Sequence, residues 1–204
     1  AQQVALTIDS KDCLKKSFME LLPKFTATYS INKINTLYLS ASKGYKAGGF
    51  NTQMFSEVLQ RMIKDYMGIY QQLDVMDIIT YEPEKSWNFE LGGHFSTADS
   101  RFTSDIALFW IECFDQQLTV FPEGQTTGRM MTNAGRTRSF GAELSFNAEL
   151  LEGLYLNGAY GYTNARFREF KDGVDDYAGN KIPYAPQNTL SARLSYCLPV
   201  KGRI

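Results

Sequence analysis

Apolar and polar residues alternate with a period of two over many segments, the spacing that puts successive strand side chains on opposite faces of a sheet. The pattern predicts a hairpin over residues 23–46, with a turn at Asn32–Asn35. Further strands are predicted later in the chain, so we expect an all-β protein with an antiparallel up-and-down meander of about seven strands. The later strands are predicted over Ser86–Phe95, Phe102–Val120, Phe140–Leu150, Leu154–Thr163 and Thr189–Leu198.

Two segments depart from simple alternation. Phe102–Val120 is apolar on both faces around Ile106–Ile111, and its content of Ile, Phe, Trp and Thr favours a strand over a buried helix. Met54–Met67 instead repeats its apolar residues at helical spacing. We expect a short helix there that packs against its own loop.

The predicted connections alternate in length. Those at 32–35, 96–101 and 151–153 are tight, because turn-forming residues occupy them. In a meander, all short links lie at one end of the sheet and all long links at the other. Membrane-spanning barrels have this asymmetry, and their strands need about 9–11 residues. The long links are near 47–84, 121–134 and 168–186.

Composition narrows the possible functions. The 204 residues are 44% hydrophobic with a formal net charge of -1, and no stretch reaches the ~18 apolar residues of a membrane helix. Nucleic acid is not an expected partner, since binding its phosphates would require a basic excess. The widely separated Cys13, Cys113 and Cys197 fit neither a metal-binding nor a redox spacing, and we interpret them as incidental.

Catalytic chemistry has little support. His94 is the sole histidine and has no nucleophile motif beside it, so a structural role is expected. The carboxylate pairs Asp175–Asp176 and Glu82/Glu84 are predicted in loops, without the apolar pocket that would separate their pKa values. We therefore predict no enzyme activity, no catalytic residues, no bound metal and no cofactor.

Four stretches, placed at strand ends, resemble the carboxy-terminal barrel region of TonB-dependent outer-membrane receptors. Each stretch is weakly specific alone, but their order along the chain makes the combination informative. The resemblance extends from about residue 20 to about residue 198. The stretches are Ser42–Asn51, Tyr81–Gly92, Asn133–Leu144 and Gly179–Gln187.

The resemblance implies a large transmembrane barrel of about 22 strands, plugged by an amino-terminal domain, in the outer membrane of a Gram-negative cell. Such receptors import a scarce nutrient, usually a ferric siderophore, with energy passed through TonB. Residues 1–204 are then expected to be part of the barrel, without the plug domain or the final strands. The expected partners are outer-membrane lipid, a small ligand such as a ferric siderophore, and the plug and TonB through parts missing here.

The barrel premise assigns roles to both faces. Polar residues are expected to face the lumen, where Glu143 and Arg193 are the best candidates to pair with plug groups. Rings near the long loops are expected in the membrane girdle, and loop residues are candidates for ligand contact. The lumen-facing candidates are Asn88, Glu90, Glu143, Asn147, Asn157, Thr163 and Arg193; the girdle candidates are Trp87, Tyr160 and Tyr162; the ligand-contact candidates are Tyr45, Lys46, Phe50, Tyr81, Arg129, Met130 and Tyr177.

An alternative is a soluble or surface β-sandwich that binds a glycan or mediates adhesion. In a sandwich, two sheets bury each other's apolar faces through Greek-key connections. Sequential hairpins would instead leave one continuous apolar band, which favours the receptor. Because about seven strands cannot close a barrel, the chain by itself is expected to be poorly soluble or to pair through its edges.

Overall fold

The computed structural model describes residues 15–51, 79–120, 130–171 and 175–198. The helix predicted over Met54–Met67 lies outside these residues. No helix in the described part of the chain is long and apolar enough to cross a membrane. The described strands are β1 (Lys24–Ser30), β2 (Thr36–Lys46), β3 (Gly49–Phe50), β4 (Thr80–Tyr81), β5 (Glu84–Ser96), β6 (Phe102–Val120), β7 (Met130–Leu151), β8 (Leu154–Glu169) and β9 (Asn188–Tyr196).

Seven strands form one antiparallel sheet in the order β1-β2-β5-β6-β7-β8-β9, while β3 and β4 pair with each other in a separate ribbon. Each strand of the large sheet pairs with the next large-sheet strand along the chain, so the predicted meander is confirmed. A sandwich requires a second sheet that covers the first. The described residues contain only the two-stranded ribbon besides the large sheet, so they do not form the sandwich of the alternative interpretation.

The short turns lie together at one end of the sheet. In the turn after β1, the side-chain oxygen of Asn32 accepts hydrogen bonds from the backbone N–H groups of Ile34 and Asn35, at 3.0 and 2.9 Å. Between β7 and β8, Gly153 adopts a φ of 77°, which a residue without Cβ tolerates. The longer connections therefore all leave the opposite end, which we call the long-loop end.

The register fixes what each face of the sheet contains, because directly paired residues point to the same side. Over the five interior strands of the sheet, one row of paired residues is apolar, with one tyrosine. The adjacent row, on the other side, contains small and polar residues. We call these sides the apolar face and the polar face. The apolar row is Leu39, Leu91, Leu108, Ala142 and Tyr162, and the adjacent row is Tyr38, Gly92, Ala107, Glu143 and Gly161.

The apolar face has no protein layer over it within the described residues. Leu39, Leu91 and Leu108 are 58%, 51% and 52% exposed, although they lie at the centre of the sheet. The buried apolar side chains of the described part are those of Cys113, Ala134 and Phe167. A continuous exposed apolar surface of this kind marks a contact with another apolar phase or partner.

Strand β7 begins earlier than the sequence predicts. It starts at Met130, inside the predicted 121–134 loop, rather than at Phe140. The extra residues are mostly polar, and they are held in the sheet by pairing with β6 as far as Val120. Within β6, Asp115 has a φ of 53° and does not pair with β7. The pairing of β6 with the early part of β7 nevertheless continues on both sides of this irregular residue. Pairing rather than hydrophobic alternation therefore sets the length of this hairpin.

Candidate functional site

The polar face carries all of the residues that the sequence assigned to a lumen. Asn147, Asn157 and Arg193 are direct neighbours in one row across β7, β8 and β9. The side-chain nitrogen of Asn157 donates to the side-chain oxygen of Asn147 at 2.5 Å. The structure thus brings part of the predicted set together as a continuous polar wall. The remaining members on the same face are Asn88, Glu90, Glu143 and Thr163.

A hydrogen-bonded cluster occupies the polar face toward the short turns. The Tyr38 hydroxyl donates to Glu90 at 2.6 Å, and the Tyr38 ring stacks on His94 with 5.4 Å between ring centroids. Nδ1 of His94 lies 2.5 Å from Oδ1 of Asp105, and Oδ2 of the same carboxylate accepts a hydrogen bond from the Ser145 hydroxyl at 3.2 Å. His94 is therefore partnered, but 61% of its side chain is exposed rather than packed in a core.

Sequence reasoning missed Tyr38 and Asp105, since both belong to the cluster through cross-strand register. Period-two spacing identifies the face of each residue within its own strand, yet it does not say which strand positions lie opposite each other. The register places Asp105 directly opposite His94 and Tyr38 directly opposite Gly92. A hairpin alignment anchored on the short turn at 97–101 would have indicated the first of these pairs.

Three amide side chains fasten the β3–β4 ribbon to the long-loop end of the sheet. Asn51 makes two hydrogen bonds with the backbone of Met131, at 2.7 and 2.8 Å. Asn133 bonds the backbone N–H and carbonyl of Glu82 at 2.8 and 2.9 Å. Gln117, which is 7% exposed, donates to the carbonyls of Ala47 and Glu82 at 2.8 and 3.2 Å. These amides hold the loop backbone and were not predicted from the sequence.

The ligand-contact candidates divide between two places. Phe50 and Tyr81 lie on the β3–β4 ribbon, and the bonds from the neighbouring Asn51 bring this ribbon to the start of β7, where Met130 lies. Tyr177 lies in the β8–β9 connection, where its ring stacks on Phe170 at a centroid distance of 5.3 Å.

The last residues of β2 point in opposite directions. Lys46 is exposed at the end of this strand and shares the polar face. Tyr45 shares the opposite face with Lys85, and its hydroxyl is buried with no hydrogen-bond partner among the described residues. Arg129 lies outside the described residues.

The girdle candidates lie on the apolar face toward its long-loop end. Trp87 shares a row with Lys43 and Glu112, so it marks the top of the apolar surface on β5. By register, Tyr160 and Tyr162 lie farther from the long-loop end than Trp87 does. On β8, however, the next residues on this face toward the long-loop end are the polar Asn164 and Arg166. Both tyrosines therefore also lie at the upper limit of the apolar surface. A boundary that descends across the sheet is expected when strands are tilted.

Charged side chains border this upper limit. Glu20, in the segment before β1, forms ion pairs with Lys43 and with Lys85, the latter at 3.2 Å. Hydrogen bonds from the Lys43 and Lys85 ammonium groups lower the pKa of the Glu20 carboxyl below its ordinary value of 4.5. The described residues contain no group of three or more His, Cys, Asp or Glu side chains able to hold a metal ion.

Comparison with known proteins gives a family match over residues 4–203, to the model described as TonB dependent receptor-like, beta-barrel. The pesticin receptors of Yersinia enterocolitica and Yersinia pestis are each 28% identical over 170 residues. These matches cover 82% of this chain and 21% of each relative, so the chain spans about a fifth of their length.

Solved structures show the same fold. The ferric yersiniabactin uptake receptor FyuA of Yersinia pestis matches with a TM-score of 0.60 and 22% identity, over 88% of this chain and 23% of that one. The siderophore receptor PiuA of Acinetobacter baumannii matches with a TM-score of 0.58 and 16% identity, over 85% of this chain and 23% of that one. The seven-stranded sheet therefore corresponds to a sector of a larger barrel in these structures.

Proposed function

Because the chain belongs to the TonB-dependent receptor β-barrel family, we propose that it forms one sector of the barrel of a receptor that imports a ferric siderophore. Members of this family are outer-membrane transporters rather than enzymes. The observation that carries the proposal is the two-faced meander. Within the described residues, its apolar face has no protein layer over it, its other face is polar, and its long connections leave one end. In such a barrel, the apolar face meets lipid and the long-loop end faces the outside.

Two kinds of observation support a ferric siderophore as the imported ligand. FyuA is named as an uptake receptor for ferric yersiniabactin, and a Pseudomonas aeruginosa receptor matched by 86% of this chain is bound to ferripyoverdine. The long-loop end of this chain offers rings and a cation to an anionic aromatic chelate. Lys46, Phe50, Tyr81 and Met130 form the proposed contact set, with Tyr177 across the β8–β9 connection. Tyr45 is left out, since its side chain lies on the opposite face from Lys46.

The polar wall is proposed to contact a plug domain carried elsewhere in the protein. Glu143 and Arg193 are exposed on this face, and we expect them to form ion pairs with plug side chains. Energy coupling through TonB would then reach the barrel by way of the plug. This part of the proposal depends on family membership together with the location of charges on the polar face.

Uptake of radioactive iron tests the proposal. Cells that lack the gene encoding this chain are compared with complemented cells, using catecholate, hydroxamate and phenolate chelates of ⁵⁵Fe. We expect uptake of at least one chelate to require the gene and to stop when TonB is deleted or a protonophore is added. Unchanged uptake of every chelate would overturn the siderophore assignment, and TonB-independent uptake would overturn the coupling.

Single substitutions test the contact set within the same assay. Lys46→Gln and Tyr81→Ala are expected to lower uptake about tenfold at limiting chelate, as expected for loss of a charge-assisted hydrogen bond or a buried ring. Tyr45→Phe is the matched control for Lys46→Gln, because it changes the adjacent residue on the other face. Equal losses in the two variants would contradict the assignment of the contacts to the polar side.

A further inference from the structure

The β3–β4 ribbon is too short to keep a fixed position by its own pairing. In the described residues it consists of two residue pairs, Gly49 with Tyr81 and Phe50 with Thr80. A two-stranded ribbon is only marginally stable in water even when it is longer than this. The position of the ribbon therefore depends on its contacts with the large sheet.

Neutral amide side chains tie both strands of the ribbon to the β6–β7 hairpin. Asn51, directly after β3, makes its two hydrogen bonds with the backbone of Met131. Asn133 makes two with the backbone of Glu82, directly after β4, and Gln117 donates to the same Glu82 carbonyl. We call Asn51, Gln117 and Asn133 the amide clasp. Because both strands are tied, the ribbon cannot turn about its long axis without breaking these bonds.

The hairpin holds two members of the amide clasp in place from its own side. Gln117 and Asn133 are direct partners in the β6–β7 register. The backbone N–H of Gln117 donates to a carboxylate oxygen of Glu84 at 2.8 Å. Asn133 donates to the carbonyl of Asp115 at 2.7 Å, at the irregular residue that does not pair with β7. The irregularity in β6 thus supplies a backbone acceptor that fixes the Asn133 amide.

The two aromatic rings of the ribbon belong to opposite faces of it. Directly paired residues share a side, so Tyr81 lies with Gly49 and Phe50 lies with Thr80. A Cβ added to Gly49 would lie 2.8 Å from Cζ of Tyr81, so this ring rests against the Gly49 backbone. Successive residues of an extended strand point to opposite sides, which puts Phe50 on the side away from the bonds of Asn51 to β7. Turning the ribbon would exchange the ring that each side presents.

We propose that the amide clasp positions the ribbon before the ligand arrives, so that Phe50 is held on the side away from β7 and faces the ligand. Its three members are positioning residues, because they act through the ribbon and do not touch the ligand. When a binding-competent arrangement is populated only part of the time, the apparent Kd rises by the inverse of that fraction. The inference rests on the proposed function, because it requires a ligand at the long-loop end.

Equilibrium binding of ferric chelates to the full receptor in detergent tests this role. The probes are the catecholate, hydroxamate and phenolate chelates of ⁵⁵Fe. We expect Asn51→Ala to raise the Kd about tenfold, as for a ribbon that is docked a tenth of the time. Asn32→Ala is the matched control, since Asn32 also makes two side-chain bonds with backbone, but in the turn after β1 at the opposite end. The control should leave the Kd unchanged.

A double-mutant cycle separates positioning from general destabilisation. In a receptor that carries Phe50→Ala, Asn51→Ala should raise the Kd by about threefold or less, because the ring that it positions is gone. In a receptor that carries Lys46→Gln, the full effect of about tenfold should remain, since Lys46 belongs to β2 and not to the ribbon. An equal rise in every background would overturn the positioning role. Asn133→Ala, which frees the other strand, replaces Asn51→Ala in the cycle if that variant does not assemble.

Hydrogen exchange of the receptor without ligand gives a readout that does not depend on the chelate. We expect Asn51→Ala to speed exchange of the backbone amides at 47–51 and 79–83, and Asn32→Ala to leave them unchanged. Unaltered exchange in Asn51→Ala would overturn the clasp. Faster exchange with an unchanged Kd would overturn this inference alone. An unmodified receptor that binds none of the chelates would overturn the proposed function and this inference with it.

Discussion

At the scale of single residues, glycines on the polar face make room for aromatic rings from neighbouring strands. A Cβ added to Gly141 would overlap the carbonyl oxygen of Tyr162 and lie 2.6 Å from Cζ of Phe109. The first contact is with backbone, which cannot rotate away. Gly161 differs, because a Cβ there would meet only the hydroxyl of Thr189, at 2.7 Å, on a rotatable side chain.

We therefore expect Gly141→Ala to destabilise the barrel by about 1–3 kcal/mol, the usual range for overpacking, and Gly161→Ala to cost clearly less. Urea unfolding of the full receptor, followed by the mobility difference between folded and heated samples on gels, measures both. A Gly141→Ala midpoint at or above that of Gly161→Ala would show that the backbone contact is relieved at no cost.

The ion pairs of Glu20 make a contribution to stability that depends on pH. The pKa of this carboxyl is lowered in the folded protein by Lys43 and Lys85, so the stabilisation is present above the unfolded pKa and disappears as pH falls through the folded pKa. We expect Glu20→Gln to lower the melting temperature slightly at neutral pH and to have no effect well below pH 4.5.

Glu152→Gln is the control for this pH dependence. Glu152 is exposed in the β7–β8 turn and makes no ion pair with a described residue. Differential scanning calorimetry of the receptor at several pH values makes the comparison. A Glu20→Gln difference that persists unchanged into acid would contradict the ion-pair explanation.

At the scale of strands, the sequence predicts the two faces well because alternation is a local property. Trp87, Asn88 and Glu90 all lie on the face expected from their spacing. Alternation does not predict a strand that is stabilised by pairing with its neighbours, such as the polar stretch of β7 that begins at Met130. The hydrogen bonds from the amide side chains of Gln117 and Asn133 to the backbone of Glu82 could not be predicted from sequence either, because Glu82 lies more than thirty residues away.

The opposite environments of adjacent β7 residues can be tested with one charge. Leu144 is 39% exposed on the apolar face, whereas Ser145 lies on the polar face and bonds Asp105. Arginine facing lipid costs about 2–4 kcal/mol near the midplane, so Leu144→Arg should reduce the amount of receptor assembled in the outer membrane. Ser145→Arg should assemble well, because Asp105 lies beside the new charge.

The readout for this pair is the amount of folded receptor in outer-membrane fractions. Ser145→Arg serves as the matched control, since it introduces the same side chain one position along the strand. Better assembly of Leu144→Arg than of Ser145→Arg would mean that the apolar face does not meet the membrane.

At the scale of the whole molecule, alternating turn lengths predict the meander and its long-loop end, because each hairpin reverses the chain. The β3–β4 ribbon could not be predicted in the same way, since a strand of two residues has no measurable period. It is instead specified by side-chain bonds from Asn51 to the sheet. The arrangement of the proposed contact set could not be predicted from sequence for a related reason, because loop residues are placed by such distant contacts rather than by local pattern.

The last prediction concerns the chain by itself. In the described residues, β1 and β9 each pair on one side only, which leaves a row of backbone donors and acceptors at both edges of the sheet. Apolar side chains lie beside one of these edges, with Leu190 and Leu194 81% and 65% exposed. Water would solvate the backbone groups at the edges but not the apolar side chains, and a second copy of the chain can cover both.

We therefore expect the isolated 204-residue chain to form oligomers in sedimentation without detergent. Leu190→Lys/Leu194→Lys should reduce this association by charging the β9 edge, and a monodisperse monomer of the unmodified chain would contradict the prediction.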